Sequence, residues 1–182
     1  MDRSTAWPRT LITAVDHGSL VKIVGAVRPA DGAVLSLVYK ERCVAWETTF
    51  DVGGGHLESR TDKTDFRVED STGVAAVRVA GASLWLFGGS FRIGQIEPWV
   101  AASLFGFERQ PRAGPMEFRE AVLAEGDIVA VVGRAIWTHP PHHSVYREGR
   151  QQLQLASSRD EPLIIVRNPR HHGPRHHRPP NS

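Results

Sequence analysis

Few residues in this chain have the type and spacing needed for chemistry. Three of its nine histidines stand in His139-Pro140-Pro141-His142-His143, and four more form His171-His172 and His176-His177. Such tracts capture zinc or nickel weakly. A built metal site needs imidazoles fixed by further hydrogen bonds, which prolines and a polar tail do not supply. Cys43 is the single cysteine. It lies beside Arg42 within an alternating run, and a reactive thiol needs a lowered pKa and a partnered base; an inert strand cysteine is expected. Gly53-Gly54-Gly55-His56 has glycines enough for a phosphate cradle, but no Lys-Ser/Thr follows and no helix opens after it. Glu69 and Asp70 are adjacent in sequence, one facing out of a strand and the other starting a turn, so they do not form an acid/base dyad. Gly-x-Ser-x-Gly and His-Glu-x-x-His are both absent. The expectation is a protein that is not an enzyme, with no catalytic residues, no metal and no cofactor.

The residues with most to offer are aromatic: Trp85, Phe87, Phe91, Trp99, Phe105 and Phe107, all between Gly81 and Pro115. They either close a core or form an exposed patch that meets a partner or a membrane surface, with Arg92 and Arg109 beside them.

The elements that must position these groups read as mainly β. Leu20 to Arg28 alternates, with Val21, Ile23, Gly25 and Val27 on one face, and Gly25 suggests a bulge or sharp bend. Glu41 to Asp51 puts Val44, Trp46 and Phe50 on one side and Glu41, Cys43, Glu47 and Thr49 on the other. Gly53 to Thr64 reads as a flexible connection. Phe66 and Val68 point inward before Asp70-Ser71-Thr72-Gly73, which fits a type I turn into a returning strand, Val74 to Val79. A short strand is expected near Leu84 to Phe87 and a short helix near Pro98 to Phe105. Phe118, Ala121 and Val122 at i, i+3, i+4, with Gly126 as a stop, predict a second short helix over Met116 to Glu125. Asp127 to Trp137, Leu153 to Ala156 and Leu163 to Val166 complete the strands. Residues 1–18 read as an irregular extension, 19–166 as the domain, and 167–182 as a disordered Arg/His/Pro tail. The fold expected is an OB-like small β-barrel with one short helix before a late strand.

Composition agrees with one domain. The chain has 182 residues, 41% of them apolar, enough for a core. Its net charge of +2 comes from 22 basic and 20 acidic side chains, yet four arginines and no acid lie from Arg167 onward. The body is therefore slightly acidic, which counts against nucleic acid as a partner. Met1 to Thr10 has no apolar region of the kind a signal peptide needs, and no stretch is apolar for long enough to span a bilayer. A cytoplasmic protein, at most peripheral to a membrane, is expected.

Four pieces together resemble a known family. They are Val21-Lys22-Ile23-Val24-Gly25; Arg42-Cys43-Val44-Ala45-Trp46; Phe66 to Val77, with Asp70 and Gly73; and Phe118-Arg119-Glu120-Ala121-Val122-Leu123-Ala124-Glu125-Gly126-Asp127, followed by Val131-Val132-Gly133-Arg134-Ala135. Their order is similar to the GIDE domain, the "beside a membrane" module of mitochondrial E3 ubiquitin ligases and of many bacterial membrane proteins. The resemblance spans Ser19 to Val166. It implies that Glu120 is the acid of the second helix, that Gly126-Asp127 is its exit, and that Asp70 with Gly73 makes the hairpin turn. The family's transmembrane helices have no counterpart here. Its RING requires about eight Cys/His ligands, and one cysteine cannot supply them, so ligase activity does not transfer. What remains is a non-catalytic interaction or scaffolding module with a protein partner, acting beside a membrane protein. The alternative is an OB-like binder of single-stranded nucleic acid through aromatic stacking.

Overall fold

A computed structural model describes residues 8–30, 32–52, 56–87, 91–106, 114–138, 152–158 and 160–167. Five strands form a closed ring: β1 (Leu20–Pro29), β6 (Phe66–Glu69), β7 (Val74–Val77), β12 (Gln152–Ala156) and β11 (Ile128–Thr138). They are hydrogen-bonded in the order β1-β6-β7-β12-β11, and β11 returns to β1. β7 and β12 run parallel, and every other pair in the ring is antiparallel. This is an OB-like barrel. Closure removes the free edges that an open sheet would expose.

The ring closes at Gly25. β1 pairs with β11 from Leu20 to Ala26 and with β6 from Ala26 to Pro29. The register to β11 runs unbroken through Gly25, so of the bulge or sharp bend expected there the bulge is absent, and Gly25 answers a close approach. A β-carbon on Gly25 would lie 2.2 Å from the Glu69 carbonyl oxygen. Gly133 meets the same demand on the facing strand, where a β-carbon would come within 2.3 Å of Leu163. Inside the ring Ile23, Val27, Phe66, Val68, Val131, Leu153 and Leu155 are buried. They alternate with outward residues as a half-buried strand should.

The segments between barrel strands build a second layer. β4 (Ala45–Asp51), β5 (Leu57–Lys63), β9 (Arg92–Ile96) and β10 (Met116–Leu123) form a sheet in the order β5-β4-β10-β9. β2 (Val34–Leu35) and β3 (Arg42–Cys43) make a short ladder beside it. β8 (Ser83–Trp85) and β13 (Ile164–Arg167) extend the barrel sheet from β11. The helix α1 covers Pro98–Phe105, as expected from the sequence, and ends at Gly106, whose φ of 66° is left-handed. Val44, Ala45, Ala121 and Leu123 belong to the barrel core, so the two layers share one apolar interior.

Three expectations are corrected. Met116 to Glu125 is not a helix. Its residues 116–123 form β10, between β4 and β9. The i, i+3, i+4 apolar spacing arises because Phe118 lies in an alternating half of the strand, whereas Ala121 and Val122 lie where both faces are covered. Glu120 is thus no helix acid, and Gly126-Asp127 is no helix exit but the turn into β11. Gly126 has a φ of 83°, its N–H donates to the Val27 carbonyl, and Asp127 donates back to the Ala124 carbonyl. Second, the flexible connection expected over Gly53 to Thr64 contains strand β5, Leu57–Lys63. It reads as polar throughout because it is an edge strand with both faces near water. Third, Arg167 is not tail. It ends β13 with its guanidinium buried against Asp127, 3.2 Å away. The remaining tail residues, 168–182, lie outside the described residues.

The N-terminal extension is partly structured. A single 3-10 turn, Ile12–Ala14, places Ile12 and Val15 in the barrel core. Asp70 holds it there. One Asp70 oxygen accepts from the Thr72 N–H and hydroxyl and from the Gly73 N–H, and the other accepts from the Ile12 N–H at 3.1 Å. The hairpin turn at Asp70–Gly73 is therefore present and also anchors the Ile12–Ala14 turn.

Candidate functional site

The four-stranded sheet has two unlike faces. On one, Trp46, Thr48 and Phe50 of β4 pair with Val122, Glu120 and Phe118 of β10. Loop 36–41 and α1 cover that face. Its centre is Glu120, only 2% exposed. The carboxylate accepts four hydrogen bonds: from the Ser36 hydroxyl (2.9 Å), the Val38 N–H (2.8 Å), the Tyr39 N–H (3.2 Å) and the Thr48 hydroxyl (2.8 Å). A buried charge is tolerable only with such a full set of donors. Beyond it, Arg92 meets the Glu41 carboxylate at 2.9 Å and lies 4.8 Å from the Tyr39 ring centre. Every partner of Glu120 is thus a donor, and three of the four, from Ser36, Val38 and Tyr39, fasten loop 36–41 to the sheet. The group is enclosed and held in place.

Cys43 lies beside this cluster. It is buried, its thiol is 3.7 Å from the Val34 carbonyl, and its pKa is pushed up to about 12 by burial first, then by the negative charges of Glu120, Glu41 and Asp62. It remains a protonated thiol at neutral pH, as a nucleophile would not. Among the described residues no group of three or more His, Cys, Asp or Glu is placed to hold a metal ion. His139, His142, His143 and the tail histidines lie outside the described residues, as do Gly53 to Gly55.

The opposite face of the sheet is open at its outer end. Register puts Ile93, Arg119, Thr49 and Ser59 in one row across the strands, and Gln95, Glu117, Asp51 and Leu57 in the next. Above these rows lies a groove of about 420 Å³. Thr49, Asp51, Glu117 and Arg119 form its floor, Leu57 one end, and Phe87 and Phe91 its wall. The two rings stand edge to face, with centroids 5.7 Å apart and planes at 76°. Arg119 and Glu117 approach to 3.4 Å on this floor, with about half of each side chain in water. Toward the barrel, Glu47 of the same face accepts from the Leu86 N–H at 3.4 Å, and burial raises its pKa.

The aromatic set therefore divides. Phe87 packs partly on the barrel core and, with Phe91, walls the groove. Trp85 on β8 and Trp99 on α1 are 58% and 73% exposed and do not line it. Phe105 is the last residue of α1, and Phe107 lies outside the described residues. Trp85, Phe91, Ile93 and Trp99 are four of the nine large apolar residues exposed among those described, all within one short stretch of chain. Gly25, Phe66, Gly73 and Gly133 serve the barrel itself. Sequence reading missed Thr49, Asp51, Leu57, Glu117 and Arg119 as site residues. The usable signal was the strict alternation Met116-Glu117-Phe118-Arg119, which marks one wet face on a strand.

Set beside protein-family models, curated proteins and solved structures, the chain matches none of them. No described helix is long and apolar enough to cross a membrane.

Proposed function

We propose that this protein is a non-catalytic interaction module that engages a protein partner through exposed apolar residues carried by the stretch from β8 to α1. The observation that carries it is the concentration of exposed Trp85, Ile93 and Trp99 on one connected stretch, in a fold whose core is otherwise well filled. Tryptophan exposed in this way is what partner surfaces use as anchors. The likeness to the GIDE module supports the same reading through the pieces that fold as β1, the β6–β7 hairpin and the middle of β11. It adds an expectation that the partner is membrane-associated.

Single-stranded nucleic acid has weaker support. In OB folds the second and third barrel strands commonly form the binding face. Here those strands, β6 and β7, turn Arg67, Glu69 and Val74 outward, with no aromatic platform for bases to stack on.

Removing 81–115 would delete β8, β9 and α1 together, so surface substitutions are the cleaner probe. The triple variant Trp85→Ser, Ile93→Ser, Trp99→Ser should keep its cooperative unfolding transition and lose the proteins captured by the wild-type chain. Capture that survives unchanged would move the contact surface elsewhere, and salt-sensitive binding of labelled single strands by the wild type would favour the nucleic-acid alternative.

A further inference from the structure

The segment ahead of β1 is held as a ligand would be. β1 is fixed to β11 without it: the Gly18 N–H donates to the Ala135 carbonyl, and the Ala135 N–H donates to the Ser19 carbonyl. β1 meets β6 only from Ala26 onward. Among the described residues, the gap between the first half of β1 and the tip of the β6–β7 hairpin is filled by residues 9–15. Thr10 donates its N–H to the Lys22 carbonyl at 2.9 Å, Ile12 to the Asp70 carboxylate at 3.1 Å, and Thr13 to the Thr72 hydroxyl at 3.3 Å. The Val15 carbonyl accepts from the Trp137 indole N–H at 3.0 Å. These four bonds use only the segment's backbone, so they give affinity without choosing its side chains. Two positions do the choosing. Ile12 and Val15, three apart, are buried in the barrel core, whereas Leu11, Thr13 and Ala14 are exposed. Gly73 shapes the Ile12 seat, since a β-carbon there would lie 3.1 Å from the isoleucine side chain. The link from the segment to β1 is a turn through Gly18, whose φ of 79° is left-handed and which open space surrounds.

We infer that this gap is a peptide-binding site occupied in cis, and that it receives a partner-protein segment carrying two aliphatic residues three positions apart. The segment already seated there shows what the site takes: N–H groups for Lys22, Asp70 and Thr72, a carbonyl for Trp137, and aliphatic side chains at the first and fourth positions. A charged residue at either position would lose its hydration in the core without compensation. Residues 9–15 then act as an autoinhibitory plug. With two seated side chains and the four bonds above, the plug belongs to the low-stability end of the fold, where local opening is commonest. A competing segment meets only the molecules whose plug is out, and its apparent affinity falls by that fraction. A second copy of the chain is the poorer occupant. Exchange would replace each plug by an identical one, Gly18 has no strain in its left-handed turn to relieve, and association still costs entropy. The site shares no residue with Trp85, Ile93 or Trp99 and does not depend on the surface they form.

The test is a binding titration of the full chain with a capped peptide of the sequence of residues 9–16, Arg-Thr-Leu-Ile-Thr-Ala-Val-Asp. The variant Ile12→Ser/Val15→Ser loosens the plug. It should keep a cooperative unfolding transition and bind the peptide at least about tenfold more tightly than the wild type does. Serine at both aliphatic positions of the peptide should weaken binding by about a hundredfold. Methylating the N–H of its isoleucine, the donor to Asp70, should weaken it by about tenfold. Where the double variant does not fold, a chain with a protease site built between Asp16 and Ser19 and cut after folding takes its place, and labelled peptide should replace the cut segment. If that segment is not replaced, or if both forms unfold once the segment leaves, the segment is part of the barrel and the inference fails. Equal affinity for the three peptides, or binding to wild type as tight as to the variant, also overturns it. A wild-type dimer that the peptide dissociates would assign the gap to a second copy and overturn the partner assignment.

Discussion

At the scale of single residues, two positions couple the sequence to closure of the barrel. Gly25 is required by contact, since a β-carbon would sit 2.2 Å from a backbone oxygen that has nowhere to retreat in a closed ring. Gly25→Ala should destabilise the fold by about 2 kcal/mol or more, read from urea unfolding. Gly18→Ala is the comparison: its φ is +79° but open space surrounds it, so only the smaller left-handed cost of about 1 kcal/mol applies. Asp70 tests protonation. Burial pushes its pKa up, but the hydrogen bonds from Thr72, Ile12 and Gly73 outweigh this and hold it below the ordinary 3.8. A depressed carboxylate contributes stability above its unfolded pKa and loses it as pH falls through the folded value. Asp70→Asn should therefore cost stability at neutral pH, and the gap to wild type should narrow below pH 3.8. A gap of constant size down to the acid transition would contradict this account.

At the scale of elements, β10 is where local pattern and final structure part. Its second half is apolar on consecutive residues because the barrel core takes one side and the Trp46–Cys43 cluster takes the other. Consecutive burial of that kind imitates a helix in a short window. The buried Glu120 adds to the disguise, because an acid at a strand's inward position is unexpected until Ser36, Thr48 and two loop N–H groups are seen converging on it. Glu120→Ala would leave four donors without an acceptor, a loss of about 3 kcal/mol or more, and should release loop 36–41. Amide exchange should report both effects: the Val38 and Tyr39 N–H groups should become fast-exchanging in the variant. In the wild type the amides of β10, which has neighbours on both sides, should outlast those of edge strand β5.

At the scale of the whole molecule, Arg167 and Asp127 tie the last strand to the turn between the two layers. The pair is largely buried, with 4% and 16% of the side chains exposed. Removing Arg167 takes this cation from a largely buried carboxylate that keeps the Ala124 N–H, so Arg167→Ala should cost about 2 kcal/mol, and the Arg167→Met/Asp127→Asn double variant should recover part of that loss in thermal unfolding. If the single and double variants are equally unstable, the pair is not the fastening. The same architecture explains how binding surfaces arise here. The barrel satisfies its own edges, and the segments inserted between its strands carry the exposed tryptophans and the charged groove.

The sequence alone determined the strand periodicity of β1, the β6–β7 hairpin and β11, and the α1 helix. Those features depend on residues close together in the chain: alternation, an Asp-to-Gly turn, a proline-started helix. Tertiary structure decided what no local window encodes. β10 became a strand because β4 and β9 flank it, β5 because a neighbour offered hydrogen bonds, and Arg167 became a buried partner because Asp127 lies 40 residues away. The groove likewise exists only because β4, β5 and β10 align Asp51, Leu57 and Glu117 in one row beneath Phe87 and Phe91. Register between distant strands is set by how the core closes, and a linear pattern does not contain it.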